Sequence, residues 1–243
     1  MKQVFLEIIS NKHLTDSVKE MKLRGEVSTL RAGQFVNIKL DGLFLRRPIS
    51  VCNVEGDTLT IIYKIVGKGT EKMSEMNGGV LDVLSELGNG YDLSLSGETP
   101  LLIGGGVGVP PMYYLAKQLI KQGKKVSVIL GFNTKSELFY EEEFKALGAS
   151  VVVTTVDGSY GVKGFVTTAM AEMDYSYFYT CGPEPMLKAV FKESKTQGQL
   201  SFEERMGCGF GACMGCSCKT IYGNKRICKE GPVLKKEELL WQI

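Results

Sequence analysis

Three stretches of distinct pattern predict the fold: an all-β Greek-key barrel over residues 1–96, an α/β doubly wound parallel sheet over 97–198, and a small cysteine-rich region over 199–243. In the first, short β-rich runs recur with turn residues between them. In the second, apolar strands alternate with helical runs. In the third, five of the seven cysteines crowd between residues 208 and 228. A chain of 243 residues is long for one domain and sufficient for two with an appendage.

Strands of the barrel are expected at Val4–Ile9, Met21–Arg24, Phe35–Leu40, Ile49–Val54, Thr58–Val66 and Tyr91–Leu95. Asp41-Gly42 and Glu55-Gly56-Asp57 supply turns between them. A helix is expected over Gly69–Met76, with Thr70 as its cap and Glu71 favouring its positive end. Arg46-Arg47-Pro48-Ile49-Ser50 opens one strand, and Tyr63-Lys64 leads through Gly67-Lys68-Gly69-Thr70 into the helix. Glycines before a helix start expose N–H groups to phosphate oxygens, and arginine adds a bidentate charge. Taken singly, each also reads as an exposed arginine pair or an ordinary strand–turn–helix joint.

From residue 97 the pattern switches. Pro100-Leu-Leu-Ile-Gly-Gly-Gly-Val-Gly-Val-Pro-Pro-Met112 reads as a buried strand, a glycine turn and a helix running from Pro111 to about Gln122. Strands follow at Lys125–Gly131, Ser150–Val156 and Tyr175–Cys181, with helices around Phe139–Leu147, Val166–Met173 and Pro185–Ser194. Such sheets bind ligands at the carboxyl ends of their strands. Gly104–Gly108, Gly131-Phe132-Asn133 and Cys181-Gly182-Pro183-Glu184 fall there, although the first is not a G-x-G-x-x-G fingerprint.

Cys208, Cys213, Cys216 and Cys228 read as C-x4-C-x2-C-x11-C, the plant-type spacing for a [2Fe–2S] cluster. Soft thiolates hold iron, and the intervening glycines let the loop curl around it. A disulfide framework suits an odd cysteine count poorly. A zinc site remains the alternative, although only Cys213/Cys216 forms a clean C-x2-C knuckle. Cys218 lies two residues past Cys216 and is expected to be a small buried neighbour. A hairpin is expected from Cys218–Ile221 and Lys225–Cys228, and a helical turn or two over Lys235–Trp241, with Trp241 in local packing.

A net charge of +2 gives no footing for nucleic acid or a membrane surface. The apolar runs are too short to span a bilayer. The amino terminus reads as a strand rather than an export signal, so a cytoplasmic location is expected. The single histidine, His13, falls in an expected surface turn and takes no role.

In this order, Arg-Pro-x-Ser, Gly-x-Gly-Thr, Gly-Gly-Gly-x-Gly-x-x-Pro, Cys-Gly-Pro and the cysteine loop resemble the ferredoxin–NAD(P)+ reductase superfamily. With the C-terminal appendage, the full length resembles the electron transfer subunits of type B dihydroorotate dehydrogenases. The resemblance implies that FAD is bound by Arg47, Pro48, Ile49 and Ser50, by Ile62, Tyr63 and Lys64, and by Gly69 and Thr70. It implies NAD+/NADH at Gly105, Gly106, Gly108, Cys181, Gly182 and Pro183, and a [2Fe–2S] cluster on Cys208, Cys213, Cys216 and Cys228, leaving Cys218 out.

The partner so implied is an FMN-containing catalytic subunit that oxidises dihydroorotate in pyrimidine biosynthesis, two copies of each chain forming a heterotetramer. Electrons would pass from it through the cluster and FAD to NAD+, with no catalytic acid, base or nucleophile in this chain. The Gly131–Lys135 turn lacks an arginine for a 2′-phosphate, which favours NAD over NADP, although Lys135 could serve. Rival readings are the flavin subunit of an NADH-dependent ferredoxin:NADP oxidoreductase or a sulfide dehydrogenase, a stand-alone diaphorase, and a zinc-binding interaction module on an inactive nucleotide-binding fold.

Overall fold

The computed structural model describes residues 1–241. The first unit is built from β1 (Lys2–His13), β2 (Val18–Arg24), β3 (Phe35–Ile38), β4 (Arg47–Glu55), β5 (Thr58–Lys64) and β6 (Val80–Leu87). β1 and β6 alternate between buried and more exposed positions, whereas β3 is buried throughout. They close into an antiparallel barrel in the order β1-β2-β5-β4-β3-β6. The three successive strands β3, β4 and β5 lie side by side and β6 returns beside β3, which makes the Greek key.

The expected strand at Tyr91–Leu95 is instead a 3-10 turn over Leu93–Leu95, started by the Asp92 carboxylate, which accepts from the Ser94 N–H at 3.0 Å. The sixth strand is β6, whose Val80-Leu-Asp-Val-Leu-Ser-Glu-Leu87 alternates inward and outward along its whole length. The helix between β5 and β6, α1 (Lys68–Ser74), has Gly67 at its cap position, so Thr70 is its third residue rather than its cap. Its hydroxyl still reaches back, accepting from the Val66 N–H at 2.9 Å. His13 ends β1, exposed.

The second unit is built from β7 (Pro100–Gly105), α2 (Val109–Lys121), β8 (Ser127–Phe132), α3 (Glu141–Ala146), β9 (Ser150–Thr155), β10 (Val162–Lys163), α4 (Val166–Ala171), β11 (Tyr177–Cys181) and α5 (Glu184–Glu193). Two further strands join its sheet, β12 (Gly198–Ser201) and, past the hairpin β13 (Ser217–Thr220) and β14 (Gly223–Arg226), β15 (Val233–Lys235). The seven-stranded order is β10-β9-β8-β7-β11-β12-β15, parallel except where β15 runs against β12. The cysteine region is therefore an excursion between two strands of one sheet, β12 beginning at residue 198 and β15 lying beyond it.

Apolar residues of α2 and α3 join the barrel interior in one buried cluster. Those of α4 and α5 cover the other sheet face and form a second cluster with Phe35, Leu87, Cys216, Ile227 and Cys228. Helices thus cover both faces of the sheet, and the cysteine region packs with Phe35 and Leu87 of the barrel in the cluster that α4 and α5 join. At the carboxyl end, Trp241 packs edge-on against Phe191 with ring centroids 5.5 Å apart, as the local-packing reading expects. Only Lys236–Glu238 of the tail is helical, as one 3-10 turn. Among the described residues no helix is long and apolar enough to cross a membrane.

Candidate functional site

Arg46 and Arg47 are adjacent in sequence and are used differently. Arg46 donates to the Asp82 carboxylate at 2.9 Å and to the Asp82 carbonyl at 3.0 Å, which ties the start of β4 to β6. Arg47 has no carboxylate partner among the described residues and bonds only the Leu45 and Arg46 carbonyls. Its side chain lies across the beginning of α1, where a Cβ on Gly69 would come within 2.7 Å of the guanidinium carbon. The result is a cation without a counterion, held beside a glycine-lined helix start.

Pro48, Ile49 and Ser50 follow along β4, all half-buried. Ile62, Tyr63 and Lys64 lie on β5, and side chains alternate across a strand, so Tyr63 leaves on the opposite side from its neighbours. Its hydroxyl donates to Asn11 Oδ1 at 2.9 Å, while the Asn11 amide donates to the Met73 and Met76 carbonyls at the far end of α1. Tyr63 thereby anchors α1 to the barrel, and burial pushes its phenol pKa up.

Strand order reverses at β7/β11, the topological switch point where open α/β sheets bind ligands. Both predicted turns meet there. A Cβ on Gly108 would lie 2.6 Å from the Cys181–Gly182 amide nitrogen and overlap the Cys181 carbonyl, and one on Gly105 would overlap Met186 Sδ. Gly106 has φ +53° and nothing within 4 Å on its Cβ side, so that edge of the turn is open. Burial pushes the Cys181 thiol up to about 12, leaving it neutral.

A cleft of about 590 Å³ joins these parts. Leu45–Pro48 form one wall, Gly182–Glu184 and Leu187 another, and Phe202–Met206 with Cys218 and Trp241 the third. Arg47, Pro48, Gly182 and Pro183 therefore share one cavity. Gly69 and Thr70 join it through Arg47, and Gly105 and Gly108 through the Cys181 turn. Ile62, Tyr63 and Lys64 lie outside its lining.

The four predicted sulfur ligands fall into two pairs. The Cys213 thiol lies beside Cys208, and Cys208 Sγ accepts from the Ala212 and Cys213 N–H groups at 3.2 and 3.4 Å. Cys216 and Cys228 are both buried side by side, and Cys216 Sγ accepts from the Cys228 N–H at 3.4 Å. Burial pushes Cys208 up, but the hydrogen bonds of Phe210, Cys213 and Ala212 outweigh it and hold the thiol at about 6. Among the described residues no three His, Cys, Asp or Glu side chains are grouped to hold a single metal ion. Two sulfur pairs instead suit a two-iron centre in which each iron takes two thiolates. Cys218 is half-buried rather than buried and faces the cleft.

Several residues that secure this loop have no part in the motifs. Arg226 ion-pairs with Glu230 on either side of Cys228 and also donates to the Gly211 carbonyl, fastening the loop to the segment that carries the fourth thiol. Asn89, at the end of the barrel, donates to the Glu230 and Val233 carbonyls at 3.0 and 2.7 Å and accepts from the Val233 N–H at 3.2 Å. Gly209 packs on Asn37 of β3. The opposite charges four residues apart around Cys228 were a readable signal; Asn89 and Asn37 offered none.

A barrel of this topology, a switch-point glycine turn and a cysteine loop between them define an oxidoreductase of the ferredoxin reductase type. Residues 102–192 match the family described as an oxidoreductase NAD-binding domain, and 203–240 match the iron-sulfur cluster binding domain of dihydroorotate dehydrogenase B. The chain is 47% identical over 256 residues to the dihydroorotate dehydrogenase B (NAD(+)) electron transfer subunit of Bacillus pumilus, covering 98% of each. It is 47% identical over 241 residues to that of Fusobacterium nucleatum, covering 92% of this chain and 93% of the other. The solved NADH-dependent reduced ferredoxin-NADP oxidoreductase superposes with a TM-score of 0.89 at 30% identity, over 99% of this chain and 91% of that one. An Amycolatopsis cytochrome P450 reductase, at 21% identity and a TM-score of 0.71, shares the fold. This chain belongs to the family of electron transfer subunits of dihydroorotate dehydrogenase B.

Proposed function

We propose that the chain carries electrons between an FMN-containing catalytic subunit, which oxidises dihydroorotate to orotate, and NAD+, in an assembly of two copies of each subunit. The observation that carries this reading is the shared cleft: the Arg47-Pro48 strand start, the Gly182-Pro183 turn and the segment leading into the cysteine loop line one cavity. When bound, FAD and the [2Fe–2S] cluster supply the exchange between the two-electron chemistry of nicotinamide and one-electron transfer.

The chain's own residues bind and orient. Arg47 offers an unpaired guanidinium to a pyrophosphate, with Gly69 and Thr70 at the adjoining backbone. Pro48, Ile49 and Ser50 line the flavin, and Ile62, Tyr63 and Lys64 support it from β5, Tyr63 through its backbone because its hydroxyl is committed to Asn11. Gly105, Gly106 and Gly108 let a nicotinamide dinucleotide lie against the backbone, and Cys181, Gly182 and Pro183 flank its nicotinamide end. Cys208 with Cys213 and Cys216 with Cys228 hold one iron each. Cys213, exposed with its neighbours Phe210 and Met214, faces the partner.

The fit to the ferredoxin-NADP oxidoreductase structure keeps the notion of another flavin–iron–sulfur complex in view, but 47% identity over the full length to the dihydroorotate enzymes favours the latter. The test is anaerobic purification of the tagged chain from cells that express its natural partners. Copurification of an FMN-containing subunit, with flavin and iron in this chain and orotate reduction by NADH, is the expected result. Recovery of a glutamate-synthase-like partner, or of zinc in place of iron, would overturn it.

A further inference from the structure

We propose that Glu137 selects NAD over NADP, by holding a carboxylate where the 2′-oxygen of the adenosine ribose arrives. The inference deepens the dinucleotide reading above and rests on it. In doubly wound sheets a dinucleotide enters at the switch point and its adenosine ribose reaches the carboxyl end of the neighbouring strand. An acid there accepts the ribose 2′-hydroxyl and repels a 2′-phosphate.

Here the switch is β7/β11 and the neighbouring strand is β8, which ends at Phe132. The residues that follow, Asn133, Thr134 and Lys135, include no acid, so the sequence position normally inspected is empty of one. The fold returns it from further along. A 3-10 turn over Lys135–Glu137 brings the Glu137 side chain back to the strand end. There Glu137 Oε2 accepts from the Asn133 backbone N–H at 3.2 Å and from Asn133 Nδ2 at 2.9 Å. Oε1 has no protein partner among the described residues and remains free to accept a hydroxyl.

The surrounding charges act in the same direction. Asp157 donates its N–H to the Asn133 carbonyl at 3.2 Å, which sets a second carboxylate beside the turn. Lys135, the cation that could receive a 2′-phosphate, is engaged elsewhere. Its Nζ lies 5.6 Å above the Tyr160 ring, and its backbone N–H donates to Ser159 Oγ at 2.8 Å. Lys163 packs its stem against Gly158.

The test is titration calorimetry of the flavin- and iron-loaded complex with 5′-AMP and with adenosine 2′,5′-bisphosphate. The wild type should prefer 5′-AMP. Glu137→Gln should narrow that preference by about tenfold, mainly by tightening the bisphosphate, because a charge-assisted acceptor and a repulsion are removed together. Lys135→Met should shift the preference by no more than about twofold, given its engagement with Tyr160. An unchanged preference in Glu137→Gln, at wild-type flavin and iron content, would overturn the proposal, as would a larger change in Lys135→Met. If the wild type bound neither nucleotide, the dinucleotide reading itself would fall first.

Discussion

At Gly108, in the turn between β7 and α2, an added methyl would overlap the Cys181 carbonyl and lie 2.6 Å from the Gly182 nitrogen. At Gly207, beside the first thiol of the cysteine loop, the nearest atom is Cys213 Sγ at 3.2 Å. Both stretches are glycine-rich, yet the physical demand differs. In the sheet turn, glycine is required because two backbones touch. In the cysteine loop it is required where the chain turns through positive φ, as at Gly211 (φ +93°), while sulfur occupies the space around Gly207. The sheet turn is fixed by backbone already packed around it. The loop depends on Arg226, Asn89 and N–H···S bonds, and on the metal centre it encloses.

That contrast can be broken experimentally. The largest effect is expected from Cys216→Ser, which removes a buried thiol of the proposed ligand set: iron content and the visible cluster absorption should be lost or altered, whereas Cys218→Ser should retain both. Gly108→Ala comes next. Overpacking against backbone should cost about 1–3 kcal/mol in denaturant unfolding. It should also abolish NADH-dependent dye reduction while leaving iron content intact, since the loop lies elsewhere. Retained dye reduction would mean that the two turns are not in contact as described.

Arg226→Ala should show a smaller, kinetic effect. With the Glu230 pair and the Gly211 carbonyl bond gone, the loop opens more readily, and iron should be stripped faster by a chelator while NADH-dependent dye reduction persists. The smallest change is expected at Gly207→Ala, where only a flexible thiol side chain must give: stability should stay within about 0.5 kcal/mol of the parent. A loss there as large as at Gly108 would erase the distinction between the two turns.

Much of this architecture could be read from residue order. The switch from short β-rich runs to alternating strands and helices announced a barrel followed by a parallel sheet, and the three turns at the carboxyl ends of β7, β8 and β11 lie where expected. The missed barrel strand, β6, carried its alternation openly, but Tyr91–Leu95 competed for the sixth place. Asp92, whose side chain starts a 3-10 turn, decided against it. β12 and β15, of four and three residues, are too short for periodicity to register.

By itself the sequence determined the cysteine spacing, the glycine positions and the family to which the chain belongs, because these depend on residue type and short separations. Tertiary structure alone decided which of two adjacent arginines is free. Asp82, on a strand not neighbouring in sequence, neutralises Arg46 and leaves Arg47 its charge. It also decided that the cysteine region is an excursion from the sheet, since β12 and β15 pair across more than thirty intervening residues. And it decided that an acid stands at the end of β8, because only folding returns Glu137 to Asn133. In the first two cases the deciding contact joins residues far apart along the chain; in the third it is local, and the 3-10 turn over Lys135–Glu137 makes it.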